Sequence, residues 1–385
     1  KTINYQYKRF VHSYNLKNSP VKSTYNLTKS ERRDIGLPPN KYQEKIWELS
    51  MNPMTGKTEI DKLFKLQNEL RESRMSKIKK LKVQLNRDGS LESTHFVNVY
   101  KNDQNEYDYF FPRSAVKPFQ LIPLLYEAQN QNILLTSEEI AIFSSSHSGQ
   151  EIHTELIKTI AKKYDLDLER LVCGKQRPFH EPTADNLLQN NKEFTKLHHN
   201  CSGKHLAMLL FSKILNEDNK IYHTFKSKTQ SIVKEFFQFI FTDNDIGFGT
   251  DGCGLPAIHL RTDSFLKAVN KIKTTEYSNN WSDMFNSYHT NPLLIGGENR
   301  TDTNIILNSS KTVLAKSGAE GVLFVTNNEE SYLFKCIDGS KRGVDLAATK
   351  YLNEIGMVNE KPFQYLSNLY SLNTQNTKAV TITVS

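Results

Sequence analysis

The 385-residue chain has no apolar run of about 18 residues, so no membrane-spanning helix is expected. Its first twenty residues lack the apolar stretch of a secretory signal. Cysteine is scarce: Cys173, Cys201, Cys253 and Cys336 stand far apart, with no C-x-x-C pair. A disulfide scaffold is therefore not expected in a chain of this length, and reduced, buried thiols are. Hydrophobic residues make up 37%, below the globular mean, so part of the length lies outside any core.

Acidic residues are missing from the first thirty positions, which hold six Lys or Arg. Across residues 1–90, twenty basic side chains face nine acidic ones, a balance of +11; with a total of +8, residues 91–385 carry −3. The basic character belongs to an N-terminal arm, so any RNA or ribonucleoprotein contact, such as with a ribosome, would run through residues 1–82. The tail resembles a partner-bound segment or the remnant of a mitochondrial transit peptide, which points to a mitochondrial and otherwise cytoplasmic location. Within the arm, Glu59–Lys82 reads as one charged amphipathic helix with Ile60, Leu63, Phe64, Leu70, Ile78 and Leu81 on a stripe.

From Val83 the texture changes. Val83–Leu85 and Thr94–Val99 read as strands around an Arg87-Asp88-Gly89 turn. Helices are expected over Phe119–Glu127, Glu151–Tyr164, His205–Leu215, Lys226–Ile240 and Val344–Ile355, and strands at Thr312–Ala315, Gly321–Val325 and Tyr332–Ile337. Strands at both ends with helices between predict an α/β body, residues 83–366, with a largely antiparallel sheet and flanking helices. Residues 367–385 read as a polar, peripheral tail.

Five constellations carry chemistry. In Arg113-Ser114-Ala115-Val116-Lys117-Pro118, a helix starting near Ser114 would set hydroxyl and amine on one face. To act as base the lysine must be neutral, through burial or a nearby cation such as Arg113. In Ser146-His147-Ser148-Gly149-Gln150-Glu151, the Ser148 and Glu151 spacing suits a capping box, which puts Ser146 just ahead of a helix N-terminus. Cys201 and Lys204 in Asn200-Cys201-Ser202-Gly203-Lys204-His205 lie one turn apart, and the glycine-rich stretch around Cys253 can bring a second thiol to them. Two thiolates and one nitrogen, from Lys204 or His205, would suit tetrahedral zinc. Lys316-Ser317-Gly318-Ala319-Glu320-Gly321 places a lysine at the end of a strand. Taken singly, each of these patterns is unspecific.

In this order, together with Glu92-Ser93-Thr94-His95, Cys173-Gly174, Arg300-Thr301-Asp302-Thr303 and Asp338-Gly339, they resemble the rhizobial-type, class 3 L-asparaginases of the asparaginase II family over roughly Val83 to Gly356. The resemblance implies a serine β-lactamase-like fold, usually homodimeric, that hydrolyses asparagine to aspartate and ammonia. It pairs Ser114 with Lys117 and Ser146 with Lys316, with Ser114 favoured for acylation but the choice open. It implies zinc on Cys201, Lys204 and Cys253, and substrate contacts from Arg113, His205, Asp251 and Arg300. Three positions depart from the family pattern: Gln150 stands where Glu is usual, Lys175-Gln176-Arg177-Pro178 lacks a His, and Ser227-Lys228-Thr229-Gln230 replaces His-Pro-x-Gln.

The charge split generates a test of the arm. Deleting residues 1–57 leaves the body folded and abolishes co-sedimentation with RNA-rich particles. Truncated protein that still co-sediments at ~150 mM salt, or full-length binding indifferent to salt and nuclease, rules out an RNA tether.

Overall fold

The hairpin that opens the body shows how local sequence sets the frame. Asp88 and Gly89 both adopt positive φ, +48° and +82°, as a two-residue turn matched to strand twist requires. They join β1 (Lys79–Arg87) to β2 (Ser90–Lys101), and Leu81, Val83 and Leu85 alternate into the core. The computed structural model describes residues 78–242 and 246–385.

In chain order the elements after β2 are β3 (Tyr109–Phe110), α1 (Lys117–Asn130), α2 (Ser137–Ser144), α3 (Glu151–Lys163), α4 (Glu181–Gln189), α5 (Ser202–Ile214) and α6 (Lys228–Ile240). Then come β4 (Gly247–Thr250), β5 (Pro256–Arg261), α7 (Thr262–Ile272), α8 (Ser278–Thr290), α9 (Pro292–Ile295) and α10 (Thr301–Leu307). The chain closes with β6 (Leu314–Gly318), β7 (Val322–Thr326), β8 (Ser331–Cys336), α11 (Lys341–Glu354), α12 (Lys361–Ser371) and β9 (Thr381–Val384). Six strands form an antiparallel sheet in the order β6-β7-β8-β2-β1-β9, and β3-β5-β4 form a small second one. The body is thus α/β with an antiparallel sheet and flanking helices. No helix among the described residues is long and apolar enough to cross a membrane.

Alternation along the strands assigns the two faces of the main sheet. Lys316, Phe324 and Leu333 are register partners and share one face. There Phe324 meets Phe119 of α1 and Phe265 of α7, and Phe119 stacks on Trp281 of α8 at 5.0 Å. On the other face Tyr332 and Phe334 pack against Tyr351 of α11. Lys316 therefore points from the sheet into the helical layer, toward the start of α1.

Two expectations need correction. Lys79–Lys82 belongs to β1 and does not end a helix; Ile78 and Leu81 fit a helical stripe, but Leu81, Val83 and Leu85 continue in strand alternation, and pairing with β2 decides. The rest of the expected helix and of the arm lies outside the described residues. Residues 367–385 are no loose tail: α12 runs to Ser371, Val380 is buried, and β9 pairs with β1. Polar alternation in Thr381-Ile382-Thr383-Val384 is that of an edge strand with one wet face.

α5 lies close against α2 because Gly203 has no side chain; a Cβ there would stand 2.1 Å from the Ile142 carbonyl oxygen. Gly203→Ala must push the two helices apart, and is expected to lower stability by at least ~2 kcal/mol. Chemical denaturation checks this, and a wild-type midpoint would contradict the close packing.

Candidate active site

Lys117 opens α1 with 1% of its surface exposed. Its Nζ donates to the Ser145 carbonyl, to Ser146 Oγ at 2.9 Å and to Cys201 Sγ at 3.4 Å. Burial lowers its pKa, a nearby Lys204 helps, and Cys201 and Cys253 oppose. The amine expected to serve Ser114 thus bonds Ser146. Arg113–Val116 is a single 3-10 turn ahead of α1, entered through Arg113 at φ +52°. Side chains three apart eclipse in such a turn, so Ser114 and Lys117 keep one face, but no hydrogen bond joins them among the described residues. The Ser114 hydroxyl has no hydrogen-bond partner among the described residues. Arg113 occupies a left-handed conformation that costs on the order of 1–3 kcal/mol, and its Nε–Asp251 Oδ1 ion pair of 2.7 Å holds it there.

Ser146 lies in the loop between α2 and α3, where its N–H donates to the Ile295 carbonyl. The expected Ser148–Glu151 capping box is absent. Gln150 caps α3 instead, and its Oε1 accepts from Ser148 Oγ and from the Glu298 N–H, both at 2.9 Å. Gly297, at φ +101°, makes room for this, since a Cβ there would fall 2.0 Å from Ser148 Oγ. His147, fully buried, accepts the Gly149 N–H at Nδ1, so its Nε2–H is left to donate to Ser202 Oγ at 2.8 Å. That contact ties the Ser146 loop to the first turn of α5. Both residues belong to the motifs read from the sequence, but their contact, across 55 residues, is not legible there.

Cys201 caps α5, Lys204 lies in its first turn, and Cys253 sits in the β4–β5 turn that Gly254 closes at φ +87°. One ligand atom each from Cys201, Asp251 and Cys253 all lie within 4.8 Å of one another. Cys253 Sγ donates to Asp251 Oδ2 at 3.1 Å; Cys201 and burial raise its pKa, while Cys253, Lys117 and Lys204 hold Cys201 well below the ordinary thiol value against burial. Burial works against the Lys204 charge, but Cys253, Cys201 and Asp251 raise its pKa. Burial likewise works against the Asp251 carboxylate, yet Lys204, Cys253 and Arg113 bring it to about 2. All four cysteines are free and buried.

Lys316 is fully buried in mid-strand, not at the strand end that was expected. Its Nζ donates to the Ser317 carbonyl at 2.9 Å and lies 3.4 Å from Asp302 Oδ2. Burial lowers its pKa to about 7 against the pull of Asp302, with Lys117 and Arg300 adding to the fall. No Ser146–Lys316 hydrogen bond exists among the described residues, although the charges of Lys117 and Lys316 act on each other. His205 is buried, with Nδ1 2.7 Å from the Tyr222 hydroxyl and Nε2 without a protein partner. Arg300 lies over Phe179, and its Nε is also buried without one. Both expected substrate contacts therefore keep a ring or guanidinium nitrogen uncommitted.

A second cluster, His95, Cys336 and Asp338, also has metal-ligand spacing. Arg342 donates to His95 Nε2 at 3.1 Å, which leaves the Nδ1 proton for Asp338 at 2.6 Å. That tautomer closes Nδ1 to a metal, and the cluster is a clamp between β2, β8 and α11.

The model of the L-asparaginase II family matches residues 83–384. The chain belongs to that family. No curated protein matches it significantly. Membership supports an asparaginase-like amidohydrolase acting on a small-molecule amide, and the match covers every element from Val83 in β1 to the end of β9.

Three buried histidines set an acid response. Burial lowers the pKa of His147 and His205 far below normal and that of His153 to about 4. In the unfolded chain each protonates near 6.5 while the native state resists, so stability is full above that value and falls as pH drops through it. Asp251, depressed to about 2, loses its contribution only below the unfolded value near ~4. Between about pH 6 and 4.5 the histidines therefore dominate, with a slope of up to ~1.4 kcal/mol per pH unit each. Denaturant unfolding at pH 7 and pH 5 should show the loss, and equal stability at the two would refute neutral burial.

Proposed function

We propose that the chain is an L-asparaginase that hydrolyses the side-chain amide with a buried Ser–Lys unit. The observation that carries this is the 2.9 Å contact between the Lys117 amine and Ser146 Oγ, inside a cluster that lowers the lysine pKa. Reach decides first which hydroxyl a base can serve, and Lys117 reaches Ser146. In its neutral form Lys117 keeps two N–H donors, for the Ser145 carbonyl and Cys201, and turns its lone pair to Ser146, whose proton it takes as Oγ bonds to the amide carbon. The tetrahedral adduct collapses, the C–N bond breaks, and Lys117 returns the proton to the departing ammonia. Water then adds to the ester with Lys117 again accepting its proton, and Ser146 leaves as aspartate forms. Lys316, with its pKa near neutrality, is a second proton carrier beside this unit, and Ser114 a second hydroxyl at its edge.

Zinc fits the donor set. Cys201, Cys253 and Lys204, with Asp251 beside them, offer two soft sulfurs, a nitrogen and an oxygen. Such an ion, when bound, would supply fixed positive charge for the amino-acid end of the substrate. Lys204 must shed its proton to ligate, so binding would weaken as pH falls. The approach of α1, with Lys117 at its start, to Lys316 on the neighbouring strand also supports a serine β-lactamase-like arrangement. The second reading, an asparaginase-like subunit tethered to a mitochondrial ribonucleoprotein, is favoured only by the charge of the arm. Homodimerisation is a further proposal from the resemblance.

The test is ammonia release from L-asparagine by the purified chain. Ser146→Ala is expected to lower kcat by ~10³-fold or more. Mass spectrometry of quenched enzyme should find the acyl group on Ser146; an adduct on Ser114 would overturn the assignment. Metal analysis of protein prepared without chelator should find one zinc, lost in the Cys201→Ser, Cys253→Ser double variant.

A further inference from the structure

Lys316 has one carboxylate at hand, Asp302, and reaches it only through a long hydrogen bond of 3.4 Å. Both side chains are fully buried, where an ion pair at contact would be strongest, yet Nζ and Oδ2 stand 3.4 Å apart. The reason is Ser317. Its hydroxyl donates to the same Oδ2 at 2.6 Å and its main-chain N–H at 3.2 Å. Its carbonyl accepts from Lys316 Nζ at 2.9 Å. Asp302 Oδ1 cannot compensate, since it has no hydrogen-bond partner and is turned to the backbone of Gly296, where a Cβ would lie 2.7 Å away. One residue thus occupies the carboxylate with two donors and the amine with one acceptor.

We propose that Ser317 is a positioning residue that keeps the Lys316–Asp302 pair long and weak, by occupying the same carboxylate oxygen with two donors. The Ser317 hydroxyl is spent on Asp302. The other charges that face Lys316 are Lys117 from α1 and Arg300 ahead of α10, both cationic. Asp302 also faces Arg300, Lys341 and the Tyr288 hydroxyl. Lys341 is engaged by Asp345 and by Thr301 Oγ1 at 3.2 Å, so it does not replace Ser317. Asp302 is therefore the anion able to fix a proton on Lys316, and Ser317 governs how closely it does so.

The inference rests on Lys316 belonging to the hydrolytic unit, and the test separates the two ideas. Full-length protein carrying ¹³C-labelled lysine is titrated by NMR, with Lys316→Arg to assign the signal, beside the pH dependence of kcat on L-asparagine. In Ser317→Ala, Asp302 is freed to pair, the protonated amine is favoured, and the Lys316 midpoint moves up by about one pH unit or more. Ser317→Thr keeps the hydroxyl and restores the wild-type midpoint. Asp302→Asn removes the anion and moves the midpoint down. A residue that served packing alone would shift stability and leave both titrations in place. An unmoved midpoint in Ser317→Ala, in protein that remains folded, overturns the proposal. A moved midpoint with an unmoved rate profile upholds Ser317 and removes Lys316 from the reaction.

Discussion

The arrangement of the site depends on the three bonds of one buried amine. Lys117 is the first residue of α1, and its donors go to the Ser145 carbonyl, the Ser146 hydroxyl and the Cys201 sulfur. These partners come from the loop after α2 and the cap of α5, so one side chain fixes three elements to each other. A buried ammonium or amine cannot leave its donors unmet without a free-energy cost, and geometry at one partner constrains the others. Two residues further along α1, Phe119 is locked among Trp281, Phe241, Phe265 and Phe324. The polar cluster therefore stands on an aromatic core that leaves α1 little freedom to shift.

Charge in this interior is divided between two groups of residues. Around α5, Lys204 and Arg113 face Asp251 and the two thiols. Around β6, Lys316 and Arg300 face Asp302. Lys117 lies between them and borrows from both, with a sulfur on one side and a second lysine on the other.

Much of this body is legible in the chain. The strongly periodic segment over Glu151–Tyr164 is α3 to within a residue, and Tyr332–Ile337 is β8 shifted by one. What escapes reading is decided by distant partners. Ile78 and Leu81 fit a helical stripe until β2 pairs with Lys79–Lys82, and the short alternation of Thr381–Val384 has no partner until β1 pairs with it. The site divides in the same way. Each serine, lysine and cysteine is visible as a motif, but which serine faces which lysine is not. Ser114 and Lys117 share a face as their spacing implies, but the Lys117 amine bonds Ser146, and the positive φ of Arg113 ahead of them goes with its ion pair to the distant Asp251, which local sequence does not announce. The ties from His147 to Ser202 and from Ser317 to Asp302 join residues that become neighbours only in the finished fold.

The order of the central sheet has a consequence for how the chain reaches this state. The first hairpin, β1 and β2, is made early, but its flanking strands come late: Val97 pairs with Cys336 and Val83 with Val384, about 240 and 300 residues downstream. During synthesis both edges of that hairpin stand open, with Val97, Val99 and Tyr100 destined for the interior. The slow step of folding is then the capture of β8 and β9 by a waiting ribbon, long after the helices between them can form. Until capture, the ribbon's free N–H and C=O rows are a template for any extended chain nearby, including another nascent copy. Yield in a heterologous host is thereby tied to residues 331–384 more than to the loops of the candidate site.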